Sequence, residues 1–161
     1  MYGRERSSGF TMIELLITMA IMAIILGLVV PSFQGIIRSN QVTTEANAFM
    51  SAVQLARSEA VKRGNDVSLS ADGAGFGDGW CVHTGANCAA DLIREFDEPS
   101  SDFAAGFTSV TFNRRGERDT GPAMLQVQVR PADCDAGEAG AEREISILVS
   151  GQVRMGRNDC P

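Results

Sequence analysis

The sequence predicts an α+β chain: one long N-terminal helix followed by a β-rich domain. Three observations predict it. Residues 10–30 are almost uniformly apolar. Residues 31–64 keep apolar side chains three or four positions apart, the spacing of one helix face. From Asn65 onward, short alternating segments are broken by glycine-rich turns, the pattern of antiparallel strands.

The apolar run comes first. At ~1.5 Å of rise per residue, residues 10–30 make a helix of about 32 Å, close to the ~30 Å hydrocarbon core of a bilayer. Arg4 and Arg6 precede the run, which predicts a cytoplasmic N-terminus with the rest of the chain on the far side. A secretory signal peptide has the same basic start but ends in a small-residue cleavage site. Here the run passes through Gly27, Leu28, Val29 and Val30 to Pro31 without an Ala-x-Ala. Glu14 stands almost alone as a charge inside the run. A carboxylate near the centre of a membrane helix costs on the order of 3 kcal/mol, so a compensating group is expected. A plain signal anchor leaves Glu14 unexplained.

In residues 31–64 the apolar positions are Phe33, Ile36 and Ile37, then Ala46, Phe49, Met50, Val53, Ala56 and Ala60. Arg38, Glu45, Arg57, Glu59, Lys62 and Arg63 supply the polar sides. Lys62 and Arg63 suit a last helical turn, and Gly64 suits the residue just past it. No heptad is sustained, so the stripe is expected to pack on a sheet and not on a second helix. Pro31, near the start, removes one backbone donor and kinks or loosens one turn.

Strands are expected over 67–70, 80–82, 89–96, 108–113, 124–130, 144–149 and 152–155. Val110 and Phe112 point to one side of their segment, as do Leu125, Val127 and Val129 of theirs. Ser150-Gly151 is a hairpin turn between the last two. Residues 133–142 are acidic and rich in Gly and Ala, which predicts a surface loop.

The chain has 161 residues and a formal net charge of −6. Residues beyond the helix are enough for one small globular domain. Residues 1–9 hold Arg4 and Arg6 against Glu5, so the remainder is one unit more acidic than the whole. An acidic domain argues against a generic nucleic-acid surface, though not against a local basic patch. Cys81, Cys88, Cys134 and Cys160 all follow the apolar run. An even count in an exported domain indicates disulfides, with three possible pairings. Cys81–Cys88 and Cys134–Cys160 are favoured: the first closes a local loop and the second ties the C-terminus to an interior loop. Loop entropy gives roughly 2.5 and 3.6 kcal/mol respectively. Zinc is disfavoured, because no C-x-x-C pair is present and His83 is the only histidine.

The block Ser8-Gly9-Phe10-Thr11-Met12-Ile13-Glu14-Leu15-Leu16 resembles the N-terminus of type IV pilins and type II secretion pseudopilins. The family pattern is a short basic leader, a glycine before the cut, phenylalanine at the new N-terminus and glutamate at its fifth position. Residues 42–69 with the stretch Ala56-Arg57-Ser58-Glu59-Ala60-Val61-Lys62-Arg63-Gly64 are similar to the GspH/FimT group (FimT/FimU-like minor pilins). So are Gly79-Trp80-Cys81-Val82, Val110-Thr111-Phe112-Asn113 with Gly116, and Gly151-Gln152-Val153-Arg154.

The resemblance implies a pilin fold in four parts: a leader (1–9), a transmembrane helix segment (10–30), its amphipathic continuation (31–64) and a β-rich globular domain (65–161). It implies that Pro31 bends the helix without ending it. Prepilin peptidase would cut between Gly9 and Phe10 and methylate the Phe10 amine, and Glu14 would meet the Phe10 amine of a neighbouring subunit. The implied partners are other minor and major pilins, the peptidase, the inner-membrane assembly platform and membrane lipid. The implied place is the inner membrane, with a single pass and a periplasmic domain, and later the extracellular pilus. The implied role is structural: a minor type IV pilin that primes assembly, near the filament tip. A type II secretion minor pseudopilin is the alternative machine. No catalytic residue, cofactor or metal is implied.

Other motifs bear residues capable of chemistry. The glycines at 73, 75, 77 and 79 lack the strand–turn–helix setting of a dinucleotide site. Asp66, Asp72 and Asp78 could gather around calcium, but turn-forming aspartates in a loop explain them better. His83 is expected to lack a nearby nucleophile of suitable arrangement, with Cys81 oxidised. Some FimT-type pilins bind DNA through a C-terminal Gly-Arg-x-Arg motif. Here Gly156-Arg157-Asn158-Asp159 places a carboxylate where the second arginine belongs. Since phosphate contacts need cations, Arg154 and Arg157 are the best remaining candidates for DNA contacts, and hairpin-end arginines paired with nearby aspartates are the simpler reading.

Overall fold

The computed structural model describes residues 10–119 and 121–161, with the side chains at 28–32 and 34 left aside. The expected leader, with Arg4, Arg6 and Gly9, lies outside the described residues. Helix α1 runs Met12–Arg63, and Pro31 does not end it. Eight strands follow: β1 Val67–Ala71, β2 Trp80–His83, β3 Leu92–Phe96, β4 Asp102–Ala105, β5 Ser109–Phe112, β6 Met124–Arg130, β7 Glu142–Leu148 and β8 Val153–Asn158. This is the expected α+β arrangement, one long helix followed by a β-rich domain. The chain divides between Ile37 and Arg38 into two compact units.

In the first unit the large apolar side chains described are exposed in the single chain, Phe33, Ile36 and Ile37 among them. Among the described residues no helix is long and apolar enough to cross a membrane. The span expected over 10–30 includes Leu28, Val29 and Val30, whose side chains fall outside that description.

In the second unit every strand pairing is antiparallel. One sheet has the order β3-β2-β1-β5 and the other β4-β6-β7-β8. The helix buries one stripe: Val42, Ala46, Phe49, Ala52, Val53, Ala56 and Ala60. Four of these seven are alanines, so the backbone of α1 packs close to the sheets, and Phe49 is the one large side chain on the stripe. The alternating strand positions meet it: Val67 and Leu69, Trp80 and Val82, Val110 and Phe112, Val127 and Val129, Ile145 and Ile147. At the centre Phe49 makes edge contacts with Phe76 at 5.0 Å and Trp80 at 5.4 Å, and lies 5.9 Å from Phe103. Trp80 stacks on Phe96.

The differences from the sequence reading have local causes. Strand β4 was not expected, because Asp102-Phe103-Ala104-Ala105 holds a single strong strand former; pairing with β6 and the burial of Phe103 against Trp80 make it a strand. Phe76 was hidden in the glycine run, yet it is buried and anchors a 3-10 turn at Phe76–Asp78. Strand β3 starts three residues later than expected, after Cys88 turns back to Cys81 and Asp91 takes a positive φ of 51°. Strands β7 and β8 pair over their whole length, from Glu142↔Asn158 to Ile147↔Val153, so both are longer than their side chains announced. The acidic stretch therefore ends in sheet, with Ala141, Glu142 and Arg143 buried.

Candidate functional site

The N-terminal junction is built from three side chains. Thr11 precedes the first helical residue, and its Oγ1 accepts the Glu14 backbone N–H at 3.3 Å. Thr11-x-x-Glu14 is thus a helix start signal, with threonine capping and glutamate in the first turn. A carboxylate there also faces the positive end of the helix dipole. The sequence reading missed this local role, and the signal was present in the Thr-x-x-Glu spacing. It explains how Glu14 sits in a first turn, and it leaves the carboxylate itself exposed and without an ion-pair partner among the described residues. Phe10, at the position expected to carry the free amine after cleavage, is also exposed. Gly9, the expected residue before the cut, lies outside the described residues.

The β-rich head is fastened at several points. Glu45, from α1, accepts the backbone N–H groups of Ser100 at 3.0 Å and Ser101 at 2.9 Å, which holds the β3–β4 connection on the helix. Cys81–Cys88 closes a loop beside β2, and Cys134–Cys160 joins the C-terminus to the loop before β7. That second bridge is flanked by backbone bonds, Gly137 N–H to the Cys160 carbonyl and Cys160 N–H to the Glu138 carbonyl, both 3.0 Å. Arg38 pairs with Asp133 at 2.6 Å.

Among the described residues, two arginines are buried without a carboxylate within ion-pair distance. Arg118 donates to the carbonyls of Leu148 and Pro122. Arg143 donates to the Gly140 carbonyl at 2.7 Å, to Thr43 Oγ1 at 3.1 Å and to Ser39 Oγ at 3.3 Å. Desolvation pushes the pKa of both guanidiniums down, and the neighbouring Arg157 adds to the effect at Arg143. A guanidinium stays charged through such a shift, so these arginines hold the hairpin and loop carbonyls as cations.

The residues weighed for chemistry are placed as follows. Asp78 accepts the backbone N–H groups of Ala74 and Gly75, capping its own turn. Among the described residues no three His, Cys, Asp or Glu side chains gather into a metal-holding group. His83 does have a hydroxyl beside it, which its sequence neighbours did not reveal: Nε2 lies 2.9 Å from Ser70 Oγ, and Nδ1 lies 3.0 Å from the Gly85 carbonyl. Ser70 Oγ in turn meets Ser109 Oγ at 2.9 Å. With His83 buried, this chain of groups ties β2, β1 and β5 together. Arg154 and Arg157 both lie on β8, exposed. Three residues apart on a strand, they leave it on opposite faces and do not build one cationic patch. Arg154 bonds Gln152 at 3.3 Å.

Two crystal structures of the type IV minor pilin FimU of Pseudomonas aeruginosa are similar in fold. One has 20% sequence identity and a TM-score of 0.62, covering 73% of this chain and 89% of FimU. The other has 22% identity and a TM-score of 0.58, covering 71% of this chain and 91% of FimU. No curated protein sequence matches the chain. The model of the prokaryotic N-terminal methylation motif matches residues 4–30, the junction and apolar run, and implies membrane anchoring. The model of the Type II transport protein GspH family matches residues 45–152, from the helix carboxylate that holds the β3–β4 connection to the last hairpin turn. That match covers more than half of the chain, which therefore belongs to the Type II transport protein GspH family.

Proposed function

We propose that the chain is a minor type IV pilin, a structural subunit that is cut between Gly9 and Phe10, methylated on the Phe10 amine and incorporated into a filament. The observation that carries this reading is a methylation motif over residues 4–30 that contains an exposed Glu14 carboxylate, joined in one chain to a GspH-family head. In the filament core, Glu14 of one subunit takes the Phe10 amine of the next. The pairing compensates two charges that would each be costly alone in an apolar setting. Other pilins, the peptidase and the inner-membrane assembly platform are the partners of that route, with the head on the periplasmic side before assembly. The subunit primes assembly and sits near the tip.

Membership of the Type II transport protein GspH family favours a second reading: the same processing and packing serve a secretion pseudopilus. Mass spectrometry of protein from the native membrane tests the common step. A mature chain starting at methylated Phe10 is expected; a chain retaining residues 1–9 in cells with active peptidase overturns both readings. Deletion of the gene separates them, since loss of surface pili supports the first and loss of exoprotein secretion with intact pili supports the second.

A further inference from the structure

Strands β3 and β8 each end one of the two sheets. Strand β8 is paired with β7 along its whole length, and β3 with β2. Among the described residues no backbone bond from the rest of the chain reaches the outer side of either. Such edges are open to further pairing unless charge prevents it. Strand β8 is exposed from Arg154 to Asn158, and β3 is exposed at Arg94 and Glu95 with Asp97 and Glu98 just beyond it.

The charges on the two edges are opposite and incompletely satisfied. Arg157 stands directly across from Arg143, a like-charge cross-strand pair, which is unfavourable. Among the described residues, Arg143, Arg154 and Arg157 have no carboxylate within ion-pair distance, and Glu95 and Glu98 have no cation. Self-pairing of β8 is disfavoured, because it gathers the arginines of two copies along one seam with no carboxylate in either strand. Against β3 the result reverses. A single antiparallel register sets Arg157 opposite Glu95 and Arg154 opposite Glu98 at once, since both pairs are three residues apart. Each pair falls on its own face of the joined sheet, as the opposite directions of Arg154 and Arg157 require.

We infer that the β8 edge of one copy of this chain pairs antiparallel with the β3 edge of a second copy, held in register by Arg154–Glu98 and Arg157–Glu95. The contact joins two different patches and is therefore head-to-tail, the kind that propagates along a fibre when it does not close into a ring. It is separate from the Phe10–Glu14 pairing, and its test does not depend on processing.

The test uses the full chain in detergent micelles, followed by sedimentation. Wild type is expected to self-associate. R154E/R157E and E95R/E98R are each expected to associate about tenfold more weakly or less, since each carries like charges on both edges. An equimolar mixture of these two variants is expected to recover association, which also shows that both are folded. For register, a chain carrying both R154E and E98R associates, because both pairs are again of opposite sign, and a chain carrying both R154E and E95R does not, because both pairs are of like sign. A wild-type chain that stays monomeric overturns the proposal. So does association that survives either charge reversal, which assigns it to the apolar arm, and so does a mixture that fails to recover.

Discussion

Single residues fasten this head where two elements meet. Glu45 is the clearest case, because one carboxylate accepts two successive backbone N–H groups from the β3–β4 connection. Glu45→Ala leaves the buried Ser101 N–H without its acceptor and is expected to cost about 2 kcal/mol, read as a lower urea midpoint; Glu45→Gln, which keeps an acceptor, costs less. Gly151 is the second case. It takes a φ of +73° at the hairpin turn, and a Cβ there would run into the Gly116 carbonyl and lie 3.0 Å from Arg57 Nε. Arg57 Nε donates to that same carbonyl at 3.0 Å. Gly151→Ala thus adds left-handed strain to a backbone clash and is expected to lose at least about 2 kcal/mol in denaturant unfolding. An alanine variant as stable as wild type would show that this contact is looser than drawn.

At the scale of elements, α1 has two different jobs along its length. From Val42 to Ala60 it is one wall of the core, with a stripe made mostly of alanine. Its last turn is stabilised electrostatically: Glu59 takes Arg63 Nε at 2.8 Å and Lys62 Nζ at 3.0 Å. The hydrogen bond from Arg63, then that from Lys62, hold the Glu59 carboxyl below its ordinary value. A carboxyl whose pKa is lower in the folded than in the unfolded chain stabilises the fold at neutral pH. That contribution fades as pH falls through the folded-state titration. Glu59→Gln is therefore expected to lower the melting temperature slightly at pH 7 and to have no effect once acid has protonated the wild-type side chain. The effect is small because the pair lies at the surface, where solvent screens it. The strands divide likewise: β1, β2, β5, β6 and β7 carry the core residues, and the sheets end in β3 and β5 and in β4 and β8.

At the scale of the whole molecule, the chain joins an apolar arm that exposes its side chains to a head that buries its own. An arm of that kind needs an apolar surrounding, first lipid and then the arms of neighbouring subunits in the proposed filament. Glu14 is the group that distinguishes the two surroundings, because only the filament supplies a neighbour's amine. Glu14→Ala is expected to leave membrane insertion intact and to reduce incorporation into filaments severalfold, scored by immunoblot of sheared pili against membranes. Insertion is unharmed because the substitution removes a charge whose burial costs on the order of 3 kcal/mol. Normal incorporation of the variant would detach Glu14 from assembly.

The sequence by itself determined the long helix and the β-rich head, and it carries the motif from which the junction at Gly9, Phe10 and Glu14 is proposed. Those features are written in local patterns: a run of apolar residues, a period of three to four, alternation, and a short motif. Only the tertiary structure decided that Asp102–Ala105 is a strand, that Phe76 belongs to the core, that Glu45 holds a distant loop, and that Ser70 sits beside His83. It also decided which strands end the sheets, and so which charges face outward along an open edge. The reason is physical. Helix period and membrane length depend on neighbours a few residues apart, whereas edge, register and buried polar contacts depend on residues brought together from far along the chain.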